Sequence, residues 1–457
     1  MGWLFSFEGR IGRRAYAAVA ILTFLVGPLA AWVAAGRSGA RAFGSLEFWF
    51  LPGRWLAFNP AESGGMDASP LVLTGLVLTT LATWMAAAAA VRRAADSGSD
   101  GVLAALAIIP VIQAPAILWL AVAPPTKVNA DQGDERVLAV SRRMSWRDRL
   151  LGLLVAILIT LGAVAASAFV FKSYGYTMFI GTPLLIGGAV GFLANRHRDL
   201  SGGATLREVS ISLLVAGAAL VLVALEGIIC IFMAAPLAWM MAAIGAAIGR
   251  SMGRVARPRK QTVLMSISLL PAMFVLEQVA PATASFEDSR SVIIEAGPEY
   301  VWPAVLQMRQ IEERPALPFR LGLAYPVRGE VIGEGVGATR LGHFSTGTAT
   351  ERVTEWAPER ALGFDILSEP ATLKEFSPYA DIHTPHVDGY FRSVHARLVL
   401  TPLPGGRTRL TLDTSHELGL QPSYYWMPMA RWVVRENKVR VLAQMKAQAE
   451  QQVRGDF

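Results

Sequence analysis

Apolar segments of about 20 residues dominate the first 280 or so residues of the chain, and residues 150–171 carry no charge at all. A helix needs about 20 apolar residues to cross a bilayer, because its main-chain polar groups must bond within the segment. The pattern predicts up to eight such segments, at about residues 15–35, 70–91, 102–123, 150–171, 177–195, 207–225, 228–249 and 262–281. Between the sixth and the seventh, Glu226 and Gly227 are predicted to form a turn.

The charges of the chain divide it into two regions. Over the whole sequence 53% of residues are hydrophobic and 17% are charged, whereas soluble domains carry about 25% charged residues. Residues 1–285 hold 23 Lys/Arg and 14 Asp/Glu, a net charge of +9, and residues 286–457 hold 19 and 21, a net charge of −2. The excess positive charge therefore belongs to loops beside a membrane. No basic run interleaved with aromatic residues indicates nucleic-acid binding, and the single cysteine, Cys230, excludes a disulfide framework.

Loop charges also predict the orientation, since Lys and Arg accumulate on the cytoplasmic side. If the N-terminus is cytoplasmic and residues 102–123 dip into the membrane and return, 19 basic residues lie inside and four outside. If residues 102–123 cross and the N-terminus is still cytoplasmic, 6 basic residues lie inside and 17 outside, and the positive-inside rule rejects that arrangement. Eight crossings with the N-terminus outside place 17 basic residues inside and 6 outside. Both acceptable arrangements place everything after residue 282 on the outer face, the periplasm of a bacterial inner membrane.

From Phe286 onward the pattern changes to short alternating segments, which are typical of an antiparallel sheet with one buried face. Residues 398–414 predict a hairpin that turns at Pro404–Gly406, and a long helix is expected from about Pro428 to Gln452. Its predicted apolar face consists of Met429, Trp432, Val433, Val439, Leu442 and Ala443. The sheet must bury its apolar face, and this helix is the available cover.

Two short motifs near the N-terminus resemble those of a bacterial inner-membrane family, domain of unknown function 805. They are FEGRIGRRAY at residues 7–16 and RRAADSGSDG at residues 92–101. In the second motif Arg92, Arg93, Asp96 and Gly98 match the family pattern, while Ala95 replaces its usual histidine and Val102 its usual tryptophan. The resemblance covers about residues 1–130 and implies a membrane domain without a known activity.

Residues 289–455 are similar to the SRPBCC superfamily, which includes START-like and polyketide-cyclase-like domains. The similarity rests on the order of strand, short helix, further strands and long helix, and on a Pro-Leu-Pro-Gly-Gly hairpin. It implies an α+β helix-grip fold, an antiparallel sheet wrapped around a long C-terminal helix with an apolar cavity between them. The predicted domains are residues 1–148 (resembling domain of unknown function 805), 149–284 (about five further spans) and 285–457 (START-like).

Candidate site residues fall into three groups. If the implied cavity exists, its lining is expected from seven aromatic residues, although packing of the core is the simpler role for most of them: Trp302, Phe344, Trp356, Phe364, Tyr390, Phe391 and Trp432. Acid–base catalysis would need titratable groups tuned by burial, and the candidates are His395, Asp365 and Tyr390. Six residues of the two membrane motifs are expected to fix topology or to bind lipid headgroups: Arg10, Arg13, Arg14, Arg92, Arg93 and Asp96.

No metal or cofactor site is predicted. His383 and His386 are three residues apart, but no Cys, Asp or Glu stands at a recognised ligand spacing beside them. Glu226 and Glu277 fall at the outward ends of apolar segments, where water or headgroups can solvate them. The expected function is a membrane-tethered START-like unit that binds a hydrophobic ligand such as a lipid or isoprenoid. The alternatives are a cyclase- or dehydratase-like enzyme that uses the same cavity, and a signalling or assembly protein without a small ligand.

Overall fold

The computed structural model describes residues 2–7, 9–35, 49, 70–97, 99, 103–104, 107, 113–125, 140–141, 144–171, 174–255, 277, 283–375 and 389–455. The chain forms two compact units, residues 1–281 (unit 1) and residues 282–457 (unit 2). Residues 36–69 apart from Trp49, residues 262–281 apart from Glu277, and His383 and His386 lie outside the described residues. A further domain boundary at residue 148 stays a prediction.

Unit 1 is helical. Its helices are α1 (Arg13–Ala35), α2 (Pro70–Ser97), α3 (Gln113–Val122), α4 (Trp146–Ala165), α5 (Thr182–Asn195), α6 (Gly202–Leu222) and α7 (Ile228–Val255). Short π-helical turns, Ala166–Phe171 and Thr177–Gly181, continue α4 and precede α5. Five of the described segments are long and apolar enough to cross a membrane: Arg13–Ala30, Trp146–Phe171, Thr177–Asn195, Gly202–Leu222 and Ile228–Arg254. As expected, α6 and α7 are separated by a turn that contains Glu226 and Gly227.

Glycines allow α5 and α7 to pack backbone against backbone. A Cβ atom built on Gly249 would collide with the main-chain oxygen of Gly188, and one built on Gly187 would collide with that of Ala242. Small residues at helix interfaces permit this close approach, which supplies van der Waals contact where lipid supplies no hydrophobic driving force between helices. The glycines therefore fix the centre of the α4–α7 bundle.

Polar side chains tie together one end of this bundle. Arg149 near the start of α4 holds Glu208 of α6 through two hydrogen bonds of 2.8 and 2.7 Å. Asn195, which is fully buried at the end of α5, donates to the Thr205 hydroxyl (3.1 Å) and accepts from the Leu200 amide (3.0 Å). At the same end, β1 (Val140–Ser141), before α4, pairs in parallel with β2 (Asp199–Leu200), after α5. The start of α4 and the end of α5 therefore lie on the same side of the unit.

Helix α3 is too short to cross a membrane. Its 10 residues span about 15 Å, roughly half of the ~30 Å hydrocarbon core. Its C-terminal carbonyls are held by Arg93 of α2, whose Nε donates to Leu120 (2.8 Å) and whose Nη2 donates to Ala123. Residue 93 and residues 120–123 therefore lie at one end of unit 1. The arrangement in which residues 102–123 dip into the membrane and return stays a prediction.

Unit 2 is a curled antiparallel sheet with one long helix. Its strands are β3 (Ala284–Ile294), β4 (Gln307–Met308), β5 (Pro326–Ile332), β6 (Thr339–Phe344), β7 (Gly347–Ala357), β8 (Ala361–Ser368), β9 (Phe391–Leu403) and β10 (Arg407–Leu418). Their order in the sheet is β3-β10-β9-β8-β7-β6-β5-β4. The helices are α8 (Pro298–Leu306), α9 (Leu317–Arg320) and α10 (Ser423–Arg454). The expected helix-grip fold class is confirmed.

Local chemistry explains several boundaries in unit 2. The β9–β10 hairpin turns where expected, because Gly405 and Gly406 adopt φ values of 84° and 68° that other residues avoid. Helix α10 begins at Ser423 rather than near Pro428, and the Gln421 side chain accepts the Ser423 amide at 3.0 Å. Strand β5 and the short helix α9 were not expected from the sequence.

The predicted apolar face of α10 is wrong. Of its six residues only Leu442 is fully buried, and Val439 is 50% exposed. The buried side instead includes Lys438 and Gln448, whose polar atoms are bonded to main-chain groups of β3, β10 and the β4 region. Because these polar residues lie on the buried side of α10, the spacing of hydrophobic residues in the sequence does not reveal which side is buried.

Candidate functional site: the inner face of the curved sheet

We define the inner face as the side of the β3–β10 sheet on which α10 packs. Lys438 in the middle of α10 reaches β3 and β10, since its Nζ bonds to the Asp288 carbonyl and to the Leu412 carbonyl (3.2 Å) and lies 3.0 Å from the Asp288 carboxylate. Burial lowers the pKa of this lysine, and the negative charge of Asp288 opposes that shift. The pair fastens the helix across the sheet.

One end of the inner face is filled. Under the C-terminal half of α10 lies a contiguous core of fully buried side chains, which includes Val353, Leu362, Leu398, Leu410, Leu442, Met445 and Ala449. Trp302 of α8 and Trp356 of β7 pack against this core edge to face, with ring centroids 5.6 Å apart. These two predicted lining residues therefore belong to the packed end.

Burial falls toward the other end, which we call the open end. Along β8 the inner-face residues Leu362 and Phe364 are fully buried, whereas Ile366 is only partly buried. Phe344 at the end of β6 and Phe391 at the start of β9 are also partly buried. Two of the predicted lining residues, Phe344 and Phe391, thus lie at the open end, whereas Phe364 belongs to the packed core.

A buried ion pair lies on the inner face between the two ends. Arg340 of β6 is directly opposite Glu351 of β7, and its Nη1 donates to a Glu351 oxygen. The side chains are almost completely buried, with residue exposures of 8% and 6%. The Arg340 guanidinium carbon stands 4.4 Å from the centroid of the Phe364 ring, a cation–π arrangement. This pair was not among the predicted site residues.

An aromatic stack closes the side of the open end next to α10. The His416 ring contacts both Phe286 and Phe391, with centroid distances of 5.0 and 5.4 Å, and its Nε2 is 2.6 Å from the Thr414 hydroxyl. His416 is 5% exposed. Burial lowers its pKa to about 3, and the positive charges of Lys438 and Arg431 add to the shift. The imidazole is therefore neutral at pH 7.

Two of the predicted catalytic residues are brought together, but on the outer face of the sheet, the side that does not pack on α10. His395 and Asp365 are cross-strand neighbours whose Nδ1 and Oδ1 atoms are 2.7 Å apart. Their side chains are 41% and 54% exposed, and the adjacent pair of Arg397 and Glu355 shares this polar surface. Burial, the effect that tunes catalytic groups, is therefore weak for both. The third candidate, Tyr390, precedes β9, and partial burial raises its pKa.

The last predicted lining residue, Trp432, lies on α10. Its ring stacks on Phe319 of α9 with centroids 5.5 Å apart, and 39% of the residue is exposed. In the described part of the chain, no group of three or more His, Cys, Asp or Glu side chains could hold a metal ion.

The membrane-motif residues take two different positions. Arg10, Arg13 and Arg14 are exposed at the start of α1, where headgroups could reach them. Arg92 and Arg93 are buried in unit 1. Arg93 is fully enclosed, and it bonds to Asp96 as well as to the end of α3. The second motif thus acts within the protein as a cap for a short helix.

Comparison with protein families accounts for this motif. Residues 4–134 match a family model described as Protein of unknown function (DUF805). The match confirms the resemblance inferred from the two arginine motifs. A comparison with curated proteins finds no match.

Several solved structures show weak similarity to part of the chain. The Zhui aromatase/cyclase from Streptomyces sp. R1128 is 19% identical, and the match covers 37% of this chain and 96% of that one with a TM-score of 0.24. A protein from Nitrosospira multiformis gives 18% identity, 37% and 99% coverage, and a TM-score of 0.23. Truncated norcoclaurine synthase from Thalictrum flavum is 13% identical, and the match covers 38% of this chain and 95% of that one with a TM-score of 0.24. No activity follows for this chain from similarities at this level.

Proposed function

We propose that the protein is a membrane-anchored binding protein whose unit 2 holds an apolar molecule at the open end of its inner face. The observation that carries the proposal is the decline in burial along one apolar surface, from the fully buried Leu362 and Phe364 to the partly buried Ile366. Soluble domains bury such a surface completely or use it for binding. A lipid or isoprenoid-like molecule has the apolar character that this surface matches.

Tethering gives such a site a direct advantage. A chain that crosses the bilayer and continues into unit 2 keeps the site beside a membrane, so the effective concentration of membrane-dissolved ligands is high without any new contact. Five span-length helices in unit 1 support this arrangement.

The outer face of a bacterial inner membrane is the proposed location of unit 2. The short α3, whose end is held beside α2 by Arg93, supports the arrangement in which residues 102–123 dip and return. That arrangement places 19 basic residues inside and four outside, in agreement with the positive-inside rule. A fluorescent reporter that matures only in the cytosol, fused after Phe457, is expected to stay dark, and alkaline phosphatase at the same position is expected to be active. The opposite pair of results would contradict the orientation.

Photo-cross-linking tests the binding site in the intact protein. A hexadecane probe that carries one diazirine is expected to label peptides of β6–β9 in protein reconstituted into nanodiscs. Ile366→Asp places a charge on the inner face and should abolish this labelling. Leu367→Asp is the matched control, because the neighbouring residue is 53% exposed and points to the opposite face. Equal labelling of the two variants, or none in the wild type, would overturn the proposal.

A further inference from the structure

Arginine residues outnumber acidic residues at one end of the α4–α7 bundle, which we call the polar end. Helices α4 and α6 begin at this end, and Arg250 of α7 reaches it by donating to the Leu200 carbonyl at 2.9 Å. Among the described residues there, each carboxylate already has an arginine partner: Asp148 binds Arg196, Asp199 binds Arg250 and Arg254, and Glu208 binds Arg149 and Arg207. Arg147 and Arg198 have no acidic partner in this part of the chain. Seven arginines and three carboxylates leave a net charge of +4.

Glu208 is shared by two arginines, so its single charge leaves one of them uncompensated. Arg149 of α4 donates to Glu208 from Nε and Nη2 at 2.8 and 2.7 Å, and Arg207 of α6 donates from Nη2 to the same Oε1 atom at 3.2 Å. The Glu208 side chain is 2% exposed, whereas those of Arg149 and Arg207 are 41% and 54% exposed. Within the described residues, Nη1 of Arg149 and both Nε and Nη1 of Arg207 have no hydrogen-bond acceptor. Two neighbouring guanidinium groups therefore have donors left for an anion.

The exposed surface that continues from the polar end along α4 and α6 is apolar. Leu214 lies two helical turns beyond Arg207 on the same side of α6, and it is exposed. Helix α4 has an exposed leucine at every fourth position: Leu150, Leu154 and Leu158. Trp146, an amino acid typical of the membrane–water interface, begins α4 and is exposed as well. Arg149 and Arg207 therefore lie where a lipid-facing surface ends, which is the depth at which a bilayer presents its phosphates.

The chemistry of the polar end favours an anionic phospholipid. Arginine binds phosphate oxygens through parallel N–H groups, and such charge-assisted hydrogen bonds are stronger than neutral ones. Clusters of Lys and Arg beside a transmembrane helix attract anionic headgroups. A zwitterionic lipid also carries a phosphate, but its ammonium group would add a positive charge to a surface that already has a surplus.

We propose that Arg149 and Arg207 bind the phosphate of an anionic phospholipid whose acyl chains lie along the exposed leucines of unit 1. Glu208 holds the two guanidinium groups from the buried side, and the lipid supplies the second negative charge. The site gives residues 149–284 a binding role of their own. It is independent of the ligand proposed for unit 2, so either proposal can fail alone.

Native mass spectrometry of the full-length protein in a neutral maltoside detergent measures lipid binding. The Kd of the first bound dioleoyl phosphatidylglycerol is expected to be about tenfold lower than that of dioleoyl phosphatidylcholine, a difference of about 1.4 kcal/mol. Equal affinity for the two lipids would overturn the proposal without any variant. Inorganic phosphate that displaces phosphatidylglycerol at an equal concentration would also overturn it, because the site would then belong to a soluble anion.

Two single substitutions test the residues. Arg207→Gln should raise the Kd for phosphatidylglycerol about tenfold, because a charge-assisted hydrogen bond to the phosphate is lost. Arg147→Gln is the matched control: it removes one positive charge from the same end, but Arg147 lies over the Trp146 ring, 5.5 Å from its centroid, and does not bind Glu208. Its Kd should stay close to that of the wild type, since an exposed charge acts weakly on a group that it does not contact.

General attraction between a basic surface and an acidic lipid predicts the same change in both variants, and that result would refute the site. Arg207 is largely exposed and makes one hydrogen bond of 3.2 Å, so the thermal unfolding midpoint without lipid should be unchanged in Arg207→Gln. Wild-type affinity for phosphatidylglycerol in this folded variant would equally count against the proposal.

Discussion

His416 predicts that unit 2 loses stability in mild acid. The ring is buried beside two phenylalanines, its folded-state pKa is about 3, and the unfolded value is about 6.5. Below pH 6.5 the unfolded chain therefore binds a proton that the folded chain does not bind, and the stability falls until the pH approaches the folded-state value. The charged groups that face the ring, Lys438 and Arg431 of α10, are positive and oppose its protonation.

The size of this effect follows from the shift. Between pH 7.5 and pH 5.0 the unfolded-state histidine passes through about 1.5 pH units below its pKa, and each unit contributes about 1.4 kcal/mol. We expect the free energy of unfolding of unit 2 to fall by about 2 kcal/mol from this residue. A change of that size lowers the hydrogen-exchange protection of the β9 and β10 amides by about 30-fold.

Hydrogen-exchange mass spectrometry of the full-length protein in micelles measures this protection, after correction for the intrinsic pH dependence of exchange. His416→Gln should remove about 2 kcal/mol of the pH dependence. Because only the difference between the two pH values is compared, a constant loss of stability in the variant does not affect the test. Identical pH dependence in His416→Gln and in the wild type would refute the reasoning.

Three further changes test the packing. Gly249→Ala places a methyl group against a main-chain oxygen of α5 and should destabilise unit 1 by about 3 kcal/mol. Thermal unfolding in detergent measures this loss. Gly162→Ala is the control and should cause no loss of stability, because no atom lies within 4 Å of the new Cβ. Lys438→Met leaves Asp288 without its buried partner and should cost about 3 kcal/mol, seen as faster hydrogen exchange in β3. Arg93→Leu removes the cap of α3 and should speed hydrogen exchange in α3 but not in α5; unchanged exchange would argue against the capping role.

The sequence predicts the described helices of unit 1 well, because about 20 apolar residues in a row have few alternatives to a membrane span. Their packing could not be predicted in the same way. Gly187 contacts α7 and Gly249 contacts α5, in each case with a residue more than 50 positions away in the chain. A hydropathy average over neighbouring residues does not reveal such a glycine contact. Similarly, alternation in β8 predicts that Phe364 and Asp365 point to opposite faces, but only the position of α10 decides which face is the inner one.

The ion pair on the inner face could have been found from the hairpin that contains it. A two-residue turn at Ser345–Thr346 places Arg340 opposite Glu351. The sequence carries that signal, with Arg340, Gly342 and Phe344 alternating on one face. It was missed because β5, the strand that completes the surroundings of Arg340, was itself not recognised. The His416 stack depends on contacts between β3, β9 and β10 and has no comparable local signal.

The contact between α5 and α7 has a mechanical consequence. Where main chain meets main chain, no side chain can change rotamer to absorb a displacement. The two helices cannot slide or rotate against each other without a collision, so a force on one is transmitted to the other at once. Within unit 1 the α5–α7 pair is therefore rigid, whereas contacts made by side chains can adjust through rotamer changes.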